Sequence, residues 1–129
     1  MAGAACTARA GRMTMRILVV DDDALMRETL RDILEDAGFQ IMTAGRVSEA
    51  LEVLGAQAFD LMLVDLNLPD GAGTALALEA RQKRAKLRVI LMTGEADLPK
   101  EQTNSVDAYL VKPVEPPVLL TLLNKALAR

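Results

Sequence analysis

Four short apolar runs in this chain each end on residues unsuited to a dry interior. Ile17-Leu18-Val19-Val20 runs into Asp21-Asp22-Asp23, and Leu61-Met62-Leu63-Val64 runs into Asp65. Val89-Ile90-Leu91-Met92 gives way to Thr93-Gly94-Glu95, and Ala108-Tyr109-Leu110-Val111 to Lys112-Pro113. A continuous apolar run of this length reads as a strand buried on both faces. Desolvating an ionised carboxylate inside such a strand costs on the order of several kcal/mol. Each acid therefore marks the point where a strand leaves the sheet and meets water.

The stretches between these runs carry helical spacing. Leu25, Leu30, Ile33 and Leu34 are expected on the inner face of a helix over Ala24 to Ala37, stopped by Gly38. Asp23 reads as the cap of that helix. A brief strand is expected over Phe39 to Thr43. A helix follows, capped by Ser48, closed by Gly55, with Ala50, Leu51 and Leu54 turned inward. Thr74 to about Arg84 reads as a third helix, whose basic end suits the negative pole of the helix dipole. Pro116 and Pro117 fit the first turn of a last helix, expected to bury Val118, Leu119, Leu122, Leu123 and Leu127 and to expose Leu120.

Strands alternating with helices imply an α/β fold: a doubly wound parallel sheet with helices on both faces. Five strands joined by right-handed crossovers most simply adopt the flavodoxin-like order 2-1-3-4-5. Periodicity alone does not fix that order. At 129 residues, one domain is expected. Hydrophobic residues make up 51% and aromatics 2%, so its core is aliphatic. A net charge of −3 argues against nucleic acid or an anionic membrane as partner. No run approaches the ~18 apolar residues of a membrane-spanning helix. Residues 1–14 are small and basic and lack the apolar centre of a signal peptide. They read as a disordered tail or an over-long start, with Met13 and Met15 as other candidate starts. The single cysteine, Cys6, excludes an internal disulfide and fits a reducing, cytoplasmic setting.

In the expected strand order Asp21, Asp22, Asp65, Thr93 and Lys112 meet at one sheet edge. Three carboxylates crowd together in ionised form only around a cation. The chain has no histidine, and an all-oxygen donor set points to a hard ion, Mg²⁺. Lys112 adds a point charge suited to a phosphoryl oxygen, and Thr93 a hydroxyl donor. An Asp carboxylate can itself act as a nucleophile and form an aspartyl phosphate. Without histidine in the chain, the phosphoryl donor must be another protein or a small acyl phosphate.

Val19-Val20-Asp21-Asp22, Asp65-x-Asn67-x-Pro69, Met92-Thr93-Gly94 and Tyr109-Leu110-Val111-Lys112-Pro113 together resemble the receiver domain of two-component response regulators. The likeness extends over residues 15–129. It implies that Asp65 is the phosphoacceptor, taking its phosphoryl group from a histidine kinase or histidine phosphotransfer protein. By the same resemblance Asp21, Asp22, Asp65 and the Asn67 carbonyl bind Mg²⁺. Thr93 and Lys112 engage the phosphoryl group, with a cis bond between Lys112 and Pro113. Thr93 and Tyr109 serve as the switch pair, although Tyr109 reads equally as core. Glu95, two residues past Thr93, reads as exposed, and the resemblance implies that its position influences phosphate lifetime. A receiver is not an enzyme acting on a separate substrate; it catalyses its own phosphorylation and slow dephosphorylation.

The segment from Glu95 to Val106 is short for the family and contains Pro99, so the fourth helix is expected to be short or irregular. No sequence follows Arg129, which reads as output by docking on a downstream protein or on a second copy of the chain. A piece of a hybrid kinase is the other reading of such a chain. Two other readings stand beside these. One is a receiver fold used only as an interaction module. The other is a haloacid-dehalogenase-type phosphatase, whose first motif Asp21-x-Asp23 resembles but which needs a Thr where Leu25 stands.

Overall fold

The computed structural model of the chain describes residues 15–94, residue 99 and residues 104–128. The expectations for residues 1–14, for Cys6 and for Glu95 fall outside the described residues, as does most of the segment expected to hold the fourth helix. In chain order the elements are β1 (Arg16–Val20), α1 (Ala24–Asp36), β2 (Gln40–Ala44), α2 (Val47–Ala56) and β3 (Leu61–Asp65). Then come β4 (Asn67–Leu68), β5 (Gly71–Ala72), α3 (Gly73–Lys83), β6 (Arg88–Thr93), β7 (Ala108–Val111) and α4 (Pro116–Leu127). Five strands form one parallel sheet in the order β2-β1-β3-β6-β7, the expected doubly wound arrangement. The two-residue strands β4 and β5 make a small antiparallel ribbon just beyond β3.

Period-two alternation divides each apolar run between two cores. Leu18, Val20, Met62, Val64, Val89 and Leu91 face α2 and α3, against Ala50, Leu54, Leu76 and Ala77. Ile17, Val19, Leu61, Leu63, Ile90 and Met92 face α1 and α4, against Leu30, Leu34, Leu119 and Leu123. Both layers are aliphatic apart from one phenylalanine each, Phe59 in the first and Phe39 in the second.

Several local expectations are corrected. β2 runs from Gln40 to Ala44, one residue later than expected, because Gly38, at φ 101°, turns the chain and Phe39 is buried in the connection. Asp23 does cap α1, accepting from Leu25 N at 3.0 Å and Met26 N at 3.4 Å. Ser48 does not cap α2: the helix starts at Val47, and the capping oxygens come from Asp70, far along the chain. Leu25 is 71% exposed, since nine residues at about 100° each set it opposite the buried Leu34. In α4 the buried line is Leu119, Leu123 and Ala126. Val118 falls off that line and is 46% exposed, whereas Leu120 is partly buried against the core.

Candidate functional site

The register of the sheet builds the site. Val20 pairs with Val64, so the residues that follow them, Asp21 and Asp65, leave adjacent strands side by side. Both continue the alternation toward the α1/α4 face. Asp21 is 0% exposed. Its backbone N–H donates to Ala44 O at 3.1 Å, and its carbonyl accepts from Arg27 Nη1 at 2.7 Å. Its carboxylate accepts from Asp23 N at 2.9 Å. Asp65 is also buried, and one of its oxygens accepts from Asn67 N at 3.4 Å. Lys112 follows β7 and enters between the two acids, with Nζ 3.0 Å from Asp65 Oδ2 and 3.3 Å from Asp21 Oδ2. Its backbone N–H donates to Thr93 O at 2.7 Å, which ties the end of β7 to the end of β6. The Lys112–Pro113 peptide bond is cis.

Asp22 is exposed at the lip, yet carboxylate oxygens of Asp21, Asp22 and Asp65 all lie within 4.8 Å of one another. Three carboxylates against one ammonium leave the mouth formally short of two positive charges. Burial pushes the Asp21 carboxyl above its ordinary range, with the Asp65 charge adding to the effect. The Asp23 amide and Lys112 oppose this without overcoming it. Burial also pulls Lys112 down, but its hydrogen bond to Asp65 and the charges of Asp21 and Asp65 outweigh this and hold it above its usual value. Both values rise, but for opposite reasons: burial favours the neutral form of Asp21, whereas the two carboxylates favour the charged form of Lys112. The clustered oxygens, with no thiol or imidazole among them, fit a hard divalent cation such as Mg²⁺.

Thus Asp21, Asp22, Asp65 and Lys112 come together, with Asn67 hydrogen-bonded to Asp65. Thr93 closes β6 at the same edge and is 1% exposed. Tyr109 lies apart, on the edge strand β7, and is 38% exposed, so the reading of it as core does not hold.

Two further residues shape the mouth, and sequence reasoning did not single them out. A Cβ on Gly73, the first residue of α3, would run into the Asp65 carbonyl oxygen. Gly73 N instead donates to Leu66 O at 2.7 Å, closing the base of the loop that follows Asp65. At the tip of that loop, Asp70 accepts from Val47 N at 2.7 Å and Ser48 N at 3.0 Å. The desolvation of Asp70 is outweighed by these amides, which hold its carboxyl below the usual range. Pro69-Asp70-Gly71 signals a turn in the sequence; the partner of the Asp70 side chain leaves no local trace.

A doubly wound five-stranded sheet with an acidic mouth and a lysine at its carboxyl edge defines the receiver class. The sequence matches the response regulator receiver domain family over residues 17–124, and the chain belongs to that family, not to the phosphatases weighed against it. It is 34% identical over 116 residues to the alginate biosynthesis transcriptional regulatory protein AlgB of Pseudomonas aeruginosa, covering 87% of this chain and 26% of that protein. It is 36% identical over 114 residues to the sensor histidine kinase RcsC of Salmonella typhimurium, covering 88% of this chain and 12% of that one. The chain thus spans well under half the length of these two relatives. Among solved structures, it resembles a CheY-like receiver domain protein from Methanospirillum hungatei, with TM-score 0.82 and 36% identity over 88% of this chain and 94% of that one. The response regulator TrrA of Thermotoga maritima, solved with Mg²⁺-BeF, gives TM-score 0.82 and 32% identity over 88% and 99%.

Proposed function

We propose that this chain is a phosphoacceptor switch of a two-component phosphorelay. In this reading Asp65 accepts the phosphoryl group of a phosphohistidine on a kinase or phosphotransfer protein, or of a small acyl phosphate. The observation that carries it is Asp65 at the end of β3, with Lys112 Nζ 3.0 Å from one carboxylate oxygen and two further acids within 4.8 Å. A carboxylate oxygen of Asp65 attacks phosphorus as the P–N bond of the donor breaks. The imidazole leaves with the bonding electron pair and picks up a proton from solvent. Such a transfer depends on positioning and charge neutralisation more than on acid–base chemistry. Lys112, released from Asp65 Oδ2, pairs with a phosphoryl oxygen, and the Thr93 hydroxyl donates to another. Asp21, Asp22, Asp65 and the Asn67 carbonyl would hold Mg²⁺, which supplies positive charge against the phosphoryl oxygens. Water later hydrolyses the acyl phosphate, so the signal decays.

Output runs through docking of a protein partner or a second copy of the chain. Tyr109, Val111 and Val118 are exposed around a hollow of about 280 Å³ that also includes Leu110 and Pro113. Among the described residues no helix is long and apolar enough to cross a membrane.

The test is labelling by acetyl phosphate or a phosphorylated kinase. Asp65→Asn should reduce incorporation to background while the circular dichroism spectrum stays unchanged, and a chelator should suppress labelling of the wild type. Labile phosphate on a folded Asp65→Asn chain, or labelling indifferent to chelator, would contradict the assignment.

A further inference from the structure

The loop from Asp65 to Gly73 is pinned at its base by Gly73 N on Leu66 O and along its middle by the β4/β5 ribbon. Asn67 sits in that ribbon, paired with Ala72. At the tip the Asp70 carboxylate crosses to the N-terminus of α2. Both oxygens are engaged, one on Val47 N and the other on Ser48 N. The helix lacks a cap of its own, because Arg46 at the N-cap position makes no side-chain hydrogen bond there. A long-range acid does the work that a neighbouring Ser, Thr, Asp or Asn ordinarily does.

Resting on the phosphoacceptor reading above, we infer that Asp70 is a positioning residue. By capping α2 with both oxygens it holds the tip of the Asp65–Gly73 loop, and with it the Asn67 backbone, in register with the acidic mouth. A helix needs only a local oxygen for its cap, so a cap supplied from the loop also determines where the loop lies. The residues that orient metal-binding groups commonly matter about ten-fold or more to metal affinity.

The consequence separates from simple stabilisation of α2. Asp70→Ala removes both the cap and the tie. Adding Arg46→Ser to Asp70→Ala restores a cap from within the helix's own strand connection but leaves the loop tip untied. Three quantities are compared in wild type, Asp70→Ala and the double variant: the urea unfolding midpoint, the Mg²⁺ dissociation constant by NMR titration, and the rate of labelling by acetyl phosphate. The expected result is a lower midpoint in Asp70→Ala, with Mg²⁺ binding weakened about ten-fold and labelling slowed. In the double variant the midpoint should recover while the metal and labelling defects remain. Recovery of Mg²⁺ affinity together with stability would overturn the inference and leave Asp70 as a helix cap only. So would an Asp70→Ala chain that binds Mg²⁺ within two-fold of wild type. A wild-type chain that takes up neither Mg²⁺ nor a phosphoryl group would instead overturn the phosphoacceptor reading and this inference with it.

Discussion

Asp21 has no exposed surface, and its carboxylate faces a second acid across two neighbouring strands. Burial raises its pKa above the ordinary 3.8, so the folded state binds this proton more tightly than the unfolded chain. The sign follows by linkage: in metal-free protein the Asp21 contribution to stability improves as pH falls through the folded pKa toward 3.8, and levels off below. Lys112 acts in the other range. Its raised pKa means that its contribution is complete below 10.5 and is lost as pH climbs through the folded value. A carboxyl-detected NMR titration of metal-free protein should place the Asp21 midpoint above 3.8. Saturating Mg²⁺ should move it down, because a bound cation favours the ionised form. A midpoint at or below 3.8 without metal would mean that the mouth is wetter than the structure describes.

Among the elements, β3 and α3 meet closely at the site. α3 begins on a glycine because its first residue abuts the Asp65 carbonyl. Gly73→Ala must push the helix or the strand end aside, an overpacking cost of about 1–3 kcal/mol. Phosphoryl uptake at Asp65 should slow as well. Gly55, inside α2, provides the control, because a Cβ there meets nothing within 4 Å. Gly55→Ala should stabilise the chain by about 0.5–1 kcal/mol. Urea unfolding of the two variants decides the matter: a Gly73→Ala chain as stable as wild type would show that α3 can give way at no cost.

For the whole molecule, the question is how charge at one sheet edge reaches the surface around β7 and α4. The backbone bond from Lys112 N to Thr93 O joins β7 to the strand that ends at the mouth, and Tyr109 lies three residues before Lys112. In the proposed switch, a phosphoryl group on Asp65 draws Thr93 toward it and shifts Lys112 from the Asp65 carboxylate to a phosphoryl oxygen. This pulls on β7 through that backbone bond and biases an existing equilibrium of the face that carries Tyr109. Amide exchange measured with and without beryllofluoride and Mg²⁺ should slow across 108–127, as well as at the mouth. Protection confined to 65–73 would mean that the signal leaves by another route.

The alternation of Ile17 with Leu18, of Leu61 with Met62 and of Val89 with Ile90 determined by itself that strands are buried on both faces. The acids at the ends of β1 and β3 marked where those strands emerge. Such features are local, because a side chain's face in a strand follows from its position in a two-residue repeat. Asp23 was legible as a cap for the same reason, since its acceptors lie two and three residues away. The errors at Leu25 and Val118 arose because one turn of helix admits several inward stripes, and only the neighbouring sheet selects among them. Lys112 meets Asp21 across 91 residues and Asp65 across 47, and Asp70 meets Val47 across 23. These meetings depend on strand order and on the path of the loop after β3. The ends of β1, β3 and β7 put Lys112 and the acids at one sheet edge, but no window of sequence contains both partners. The seating of Lys112 Nζ between two carboxylates and the capping of α2 by a distant acid were therefore decided by the tertiary structure alone.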